Sequence, residues 1–137
     1  MQDQSTDQRV PASMPPVVPP AETQGMYGRC RPDPAAARVL ALVSHQRQVS
    51  KLLLLHSSRC EASIAEARQV AMYLTHVVLR RTYAEVGGIF GRDRTTVSHA
   101  CARIEDLREL PGFDAELARL ETAITAMCRM EMANVAG

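Results

Sequence analysis

Thr82-Tyr-Ala-Glu-Val-Gly-Gly-Ile-Phe-Gly-Arg-Asp-Arg-Thr-Thr-Val-Ser-His-Ala-Cys101 is the stretch that decides the fold. Its first four residues have the spacing of a capping box, in which a hydroxyl and a carboxylate satisfy each other's orphan N–H groups at a helix start. Val86, Ile89 and Phe90 follow at helical spacing, and Gly91 takes without strain the left-handed turn that ends a helix. Two residues later Asp93 is an N-cap for a second helix from Arg94 to about Leu110, with Val97, Cys101, Ile104 and Leu107 inward and Thr96, His99 and Arg103 outward. Two helices joined this closely predict a helix-turn-helix. Gly87 falls on the inner face of the first helix, where a larger side chain would push the second away, and Phe90 and Val97 pin the pair together.

Working outward, Ser63-Ile-Ala-Glu66 has the same box spacing, and Ala67, Val70, Ala71, Leu74, Val77 and Val78 repeat behind it with a helical period to about Leu79. Ala35 to Val43 starts an earlier helix with Val39, Leu42 and Val43 on one face, and Leu52 to Leu55 reads as buried core. On the other side, Pro111 and Gly112 are expected to stop the second helix of the motif, and Asp114 to cap a last helix with Leu117, Leu120, Ile124 and Met127 in line. No strand pattern occurs, so the fold class is all-α: a small helical bundle containing a helix-turn-helix. Seven of the eight prolines lie in residues 1–34, which offer too little apolar surface to offset their ordering entropy. The expected organisation is a disordered Pro-rich arm over 1–34, the domain over 35–127, and a frayed C-terminus over 128–137.

Composition excludes several classes. The chain has 137 residues and carries 16 Lys+Arg against 15 Asp+Glu, so the total gives no ground for inferring a polybasic tail or an acidic tract. Lys51 is its single lysine and no Walker-type G-x-x-x-x-G-K-[ST] loop surrounds it, which argues against that kind of nucleotide hydrolysis. Leu52 to Leu55 is far too short to cross a bilayer, and the expected location is cytoplasmic and nucleoid-associated. Cys30, Cys60, Cys101 and Cys128 contain no C-x-x-C pair, and His45, His56, His76 and His99 show no i, i+4 spacing, so no metal, cofactor or catalytic residue is expected. Cys101 faces the core.

The second helix of the motif opens with Arg94, Thr95, Thr96 and Ser98, and His99 and Arg103 follow on its outer side. Threonine methyls suit the thymine methyl, hydroxyls and arginine suit base acceptors, and a helix N-terminus beside Arg92 suits phosphate. These residue types point to double-stranded DNA as the partner. Total charge adds nothing to that reading.

Ala67-Arg-Gln-Val-Ala-Met-Tyr-Leu74, Glu85-Val-Gly87 and Gly91-Arg-Asp-Arg-Thr-Thr-Val-Ser-His-Ala-Cys101, followed by Ile104-Glu105, resemble the C-terminal DNA-binding domain of the bacterial replication initiator DnaA over roughly residues 36 to 125. The resemblance implies a helical bundle that recognises short DNA boxes at origins. It further implies that Asp93, Arg94, Thr95 and Thr96 read bases, that Arg68, Gln69, Arg92, His99 and Arg103 hold phosphates, and that Tyr83 and Ala84 add backbone N–H contacts. Three departures bear on affinity and preference. Arg94 stands where the family usually has histidine, one glycine before Arg92 is missing, and the family's basic minor-groove loop is thinned to His56-Ser-Ser-Arg-Cys-Glu-Ala-Ser63, with Arg59 beside Cys60 as its remaining base. With no ATPase motif in the chain, the expectation is a stand-alone relative of the initiator's DNA-binding domain that regulates replication initiation at origin or promoter boxes. Transcriptional regulation, or contact with the initiator or its regulators, are the alternative roles.

Overall fold

The computed structural model describes residues 30–56 and 61–136. Six helices follow one another: α1 (Pro34–Arg47), α2 (Lys51–His56), α3 (Ala62–Val77), α4 (Tyr83–Phe90), α5 (Arg94–Leu107) and α6 (Pro111–Ala136). The described residues contain no strand, in line with the all-α reading. Residues 1–29 of the expected 1–34 arm, and Arg59 and Cys60 of the loop before α3, lie outside the described residues.

α3 is the central helix. Val70, Ala71, Met72, Tyr73, Leu74 and Thr75 are buried in succession, so the helix is enclosed on every side, and it packs against α1, α2, α4 and α5. The hydroxyl of Thr75 would be an orphan there, and it donates to the Ala71 carbonyl at 2.7 Å. Around it, Val39 and Val43 of α1, Leu54 of α2, Val86 and Phe90 of α4, Val97 and Ile104 of α5, and Leu117 and Ile124 of α6 complete one core.

α6 is further fastened by two arginines. Arg47 pairs with Glu116 at 2.8 Å and with Glu66 at 3.6 Å and lies over the Phe113 ring. Arg108 pairs with Asp114 at 2.6 Å and Glu121 at 2.7 Å, donates to the Tyr73 hydroxyl at 3.2 Å, and Tyr73 in turn donates to Glu105 at 3.0 Å. The bonds from Glu121 first, then those from Asp114 and Tyr73, hold the Arg108 guanidinium in its charged form against a smaller opposing effect of burial.

Several local expectations differ from the structure. Ser63 does not cap α3: the helix starts at Ala62 with Glu61 as N-cap and no side-chain cap bond, and the Glu66 carboxylate turns to Arg47 instead. Pro111 starts α6 rather than only stopping α5, because at a first helical position its missing N–H costs nothing and its φ is already set. Asp114 therefore sits inside the first turn of α6, and α5 ends at Leu107. α6 is helical past Met127 as far as Ala136, with Cys128 against the core and Glu131 paired with Arg38. Of the Leu52 to Leu55 run only Leu54 is fully buried, and Leu52 is 68% exposed, since four successive residues of a helix cannot share one side.

Residues 30–34 are held against the bundle. Asp33 caps α1, accepting from the N–H groups of Ala35 and Ala36, and its other oxygen takes the Arg81 guanidinium at 3.0 Å. That arginine bond is the main reason its carboxyl is held below the ordinary value of 3.8.

Candidate nucleic-acid interface

The motif closes through backbone geometry. The Thr82 hydroxyl accepts the Glu85 N–H at 3.1 Å while the Glu85 carboxylate accepts the Thr82 N–H at 2.9 Å, so the expected box forms and fixes where α4 starts. Gly91 has φ 68° and sends its N–H to the Gly87 carbonyl, which also accepts from the Arg92 N–H at 2.9 Å. A Cβ on Gly87 would run into the Arg92 carbonyl oxygen. Glycine is thus required at position 87 by close approach and favoured at position 91 by conformation. Behind the turn, Val86, Phe90 and Val97 are completely buried against one another's helices.

Asp93 then caps α5, accepting the Thr96 N–H at 2.8 Å. That bond, helped by the Thr96 hydroxyl, holds its exposed carboxyl below the ordinary range. The cap leaves Arg94, Thr95, Thr96 and His99 exposed at the start of α5 and Arg103 exposed two turns further on. The Thr96 hydroxyl is drawn to Asp93 as well.

Two clefts flank this helix end and between them collect almost every residue expected at the interface. Arg94, Thr95 and Ser98 line the first, opposite Thr82, Tyr83 and Ala84 at the start of α4. Tyr83 is positioned by His76, whose ring lies 4.4 Å away and whose Nδ1 donates to the Arg81 carbonyl at 2.8 Å. Arg68, Gln69, Arg92, Thr96, His99 and Arg103 line the second, over a floor that includes Met72 and Ala100. Arg103 Nε donates to Gln69 Oε1 at 2.9 Å, which ties α5 to α3 and leaves the Gln69 amide N–H groups to face another acceptor. Arg68 is more deeply set than its expected role suggested: it is buried, with Nε on the Leu54 carbonyl at 2.8 Å and an Nη on the Leu53 carbonyl at 2.7 Å, closing the end of α2. Arg92 reaches back to the Phe90 and Gly91 carbonyls at 3.3 Å. The Arg94 side chain makes no ion pair or hydrogen bond with another described residue, and Arg59 lies outside the described residues.

Sequence reasoning missed the supports: Asp33 on Arg81, His76 on Tyr83 and Gln69 on Arg103 join residues whose partners no local motif announces. Burial pushes the Cys101 thiol up to about 11, with Glu105 adding to the shift, so it is a core residue and not a ready nucleophile. Among the described residues no three metal-ligating side chains cluster, and no helix is long and apolar enough to cross a membrane.

Two helices crossing at a glycine contact, with the capped start of the second exposed between two polar clefts, define a helix-turn-helix domain of the type that docks on DNA. Residues 36–104, half of the chain, match the family described as bacterial dnaA protein helix-turn-helix, and the chain belongs to that family. It is similar to the chromosomal replication initiator protein DnaA of Mesorhizobium japonicum, with 49% identity over 79 residues, 57% of this chain and 15% of the relative. The initiator of Brucella abortus is 46% identical over the same share of each chain. That of Paraburkholderia phymatum is 43% identical over 68 residues, 49% of this chain and 12% of the relative. The similarity thus spans 12% to 15% of the length of these curated relatives.

Proposed function

We propose that the protein binds specific double-stranded DNA boxes and acts as an accessory regulator of chromosome replication initiation in the cytoplasm, on the nucleoid. In this reading Asp93, Arg94, Thr95 and Thr96 read base edges in the major groove, while Gln69, Arg92, His99 and Arg103 grip phosphates. Arg68 contributes mainly by shaping the second cleft and adding its charge to it. The observation that carries the reading is the division of α5 into two lined sides, one around Arg94 and Thr95 and one around His99 and Arg103. A base-reading edge and a backbone-gripping edge on one helix is what groove docking requires. Asp93, already held by Thr96, acts as cap and as an acceptor suited to a cytosine amino group. Arg94 offers the bidentate fork that suits guanine where relatives usually place an imidazole.

Pull-down of genomic fragments by the purified chain, read by sequencing, tests this. Enrichment of origin fragments is the expected result. Scattered promoters would turn the role to transcription, and no enrichment at all would overturn DNA recognition. The largely apolar cleft lined by Ala35, Val78, Leu79, Cys128 and Met132, together with Arg81 and Glu131, favours a second reading, in which the chain modulates the initiator or its regulators by protein contact.

A further inference from the structure

The extended residues before α1 run along α4 in the direction opposite to it. Arg31 donates its N–H to the Gly88 carbonyl at 2.8 Å, one of the C-terminal carbonyls that a helix leaves unsatisfied, and Asp33 meets Arg81 just ahead of the α4 cap. The Arg31 side chain lies on the helix itself: a Cβ built on Gly88 would be 3.2 Å from Arg31 Cδ and 3.3 Å from its Nε. Gly88 is one turn beyond Ala84 on the same face of α4, and Ala84 lines the cleft that holds Arg94, Thr95 and Ser98. Arg31 is exposed, and among the described residues it has no carboxylate within ion-pair distance.

We propose that Arg31 is a DNA-backbone contact, supplied to the helix-turn-helix from outside it and seated by Gly88. This rests on the DNA-binding reading above. In helix-turn-helix docking the first helix crosses the phosphate backbone while the second enters the groove, so a guanidinium laid on the outer face of α4 meets phosphate and not bases. Position 31 also precedes the residues, 36–104, that carry the family match, so the contact adds to the matched domain's own. Gly88 matters through what it lacks, since a Cβ there would press on the arginine stem and require it to shift by a few tenths of an ångström.

The test uses the full chain, a duplex enriched in the genomic pull-down and a scrambled duplex of equal length, with affinity read by fluorescence anisotropy from roughly 50 to 200 mM KCl. Arg31→Gln keeps the stem over Gly88 and removes the charge. It is expected to flatten the log–log salt slope by about 0.9 and to weaken both duplexes alike by several-fold, with the thermal melt unchanged because the backbone bond to Gly88 remains. Arg31→Lys is expected to keep the slope. Wild-type slope and affinity in Arg31→Gln overturn this inference and leave the DNA reading standing, whereas wild-type protein that binds neither duplex overturns both.

Discussion

Around α1 and α6, and where residue 33 caps α1, Arg38, Arg47 and Arg81 each hold a carboxylate, as does Arg108 between α5 and α6. Around α4 and α5, Arg31, Arg80, Arg94 and Arg103 hold none among the described residues, while Glu85 and Asp93 are engaged as helix caps. One region uses its charges to fasten helices and the other leaves its cations facing outward. A formal charge of +1 conceals this, because carboxylates that balance the total are taken up in ion pairs with other arginines. Local field follows from who is paired with whom, not from the sum.

That contrast can be broken at several points. Gly87→Val is expected to have the largest effect, about 3 kcal/mol of stability measured by urea unfolding, since the added atoms meet rigid backbone at Arg92. DNA binding should fall with it. Arg108→Ala should cost about 2 kcal/mol, less than for a fully buried pair because Asp114 is half exposed, yet leave affinity unchanged well below the melting temperature. Arg94→Ala should do the reverse, removing about 1–3 kcal/mol of specific binding with stability within about 0.5 kcal/mol of wild type. If Arg108→Ala weakened binding as much as Arg94→Ala, the division of labour between the two regions would be wrong.

Acidification probes the boundary between them. Asp33 has its carboxyl lowered in the folded state, so the unfolded chain takes up the proton first and stability rises with pH in that window. Its contribution is complete above about pH 5 and disappears as pH falls through 3.8 toward the lower folded value. Melting curves of wild type and Asp33→Asn should therefore differ at neutral pH and converge in acid; a constant gap would mean that the Arg81 pair contributes nothing. The smallest effect is expected at Gly112→Ala. No atom lies within 4 Å of a Cβ there, and a gain of up to about 1 kcal/mol in the melt is expected from the stiffer unfolded chain.

The helix-turn-helix was legible because its determinants are local. Thr82 and Glu85, Gly87 and Gly91, and Asp93 and Thr96 each act across three to five residues, and each does in the structure what its spacing announces. The same kind of pattern misled at Ser63 and Glu66, where a helix starting at Ala62 placed the serine too far inside to cap and Arg47 claimed the glutamate. Pro111 was ambiguous by nature, since proline both ends one helix and suits the first turn of the next. For the candidate interface, residue types on α5 could be read from their period. Its second cleft could not, because it depends on α3 bringing Gln69 to Arg103 across 34 positions. Arg47 with Glu116 and Asp33 with Arg81 span 69 and 48 positions, and no periodicity marks either pair.

The short extended run before α1 also bears on how the domain could be transplanted. The family match begins at residue 36, so a graft cut there would carry both glycines, the aspartate cap and the whole of α5. It would leave behind the donor to Gly88 and the carboxylate that meets Arg81, one fastening at each end of α4. The portable unit is longer than the family match, and a chimera cut at residue 36 would keep the core contacts of α4 but receive that helix without these two fastenings.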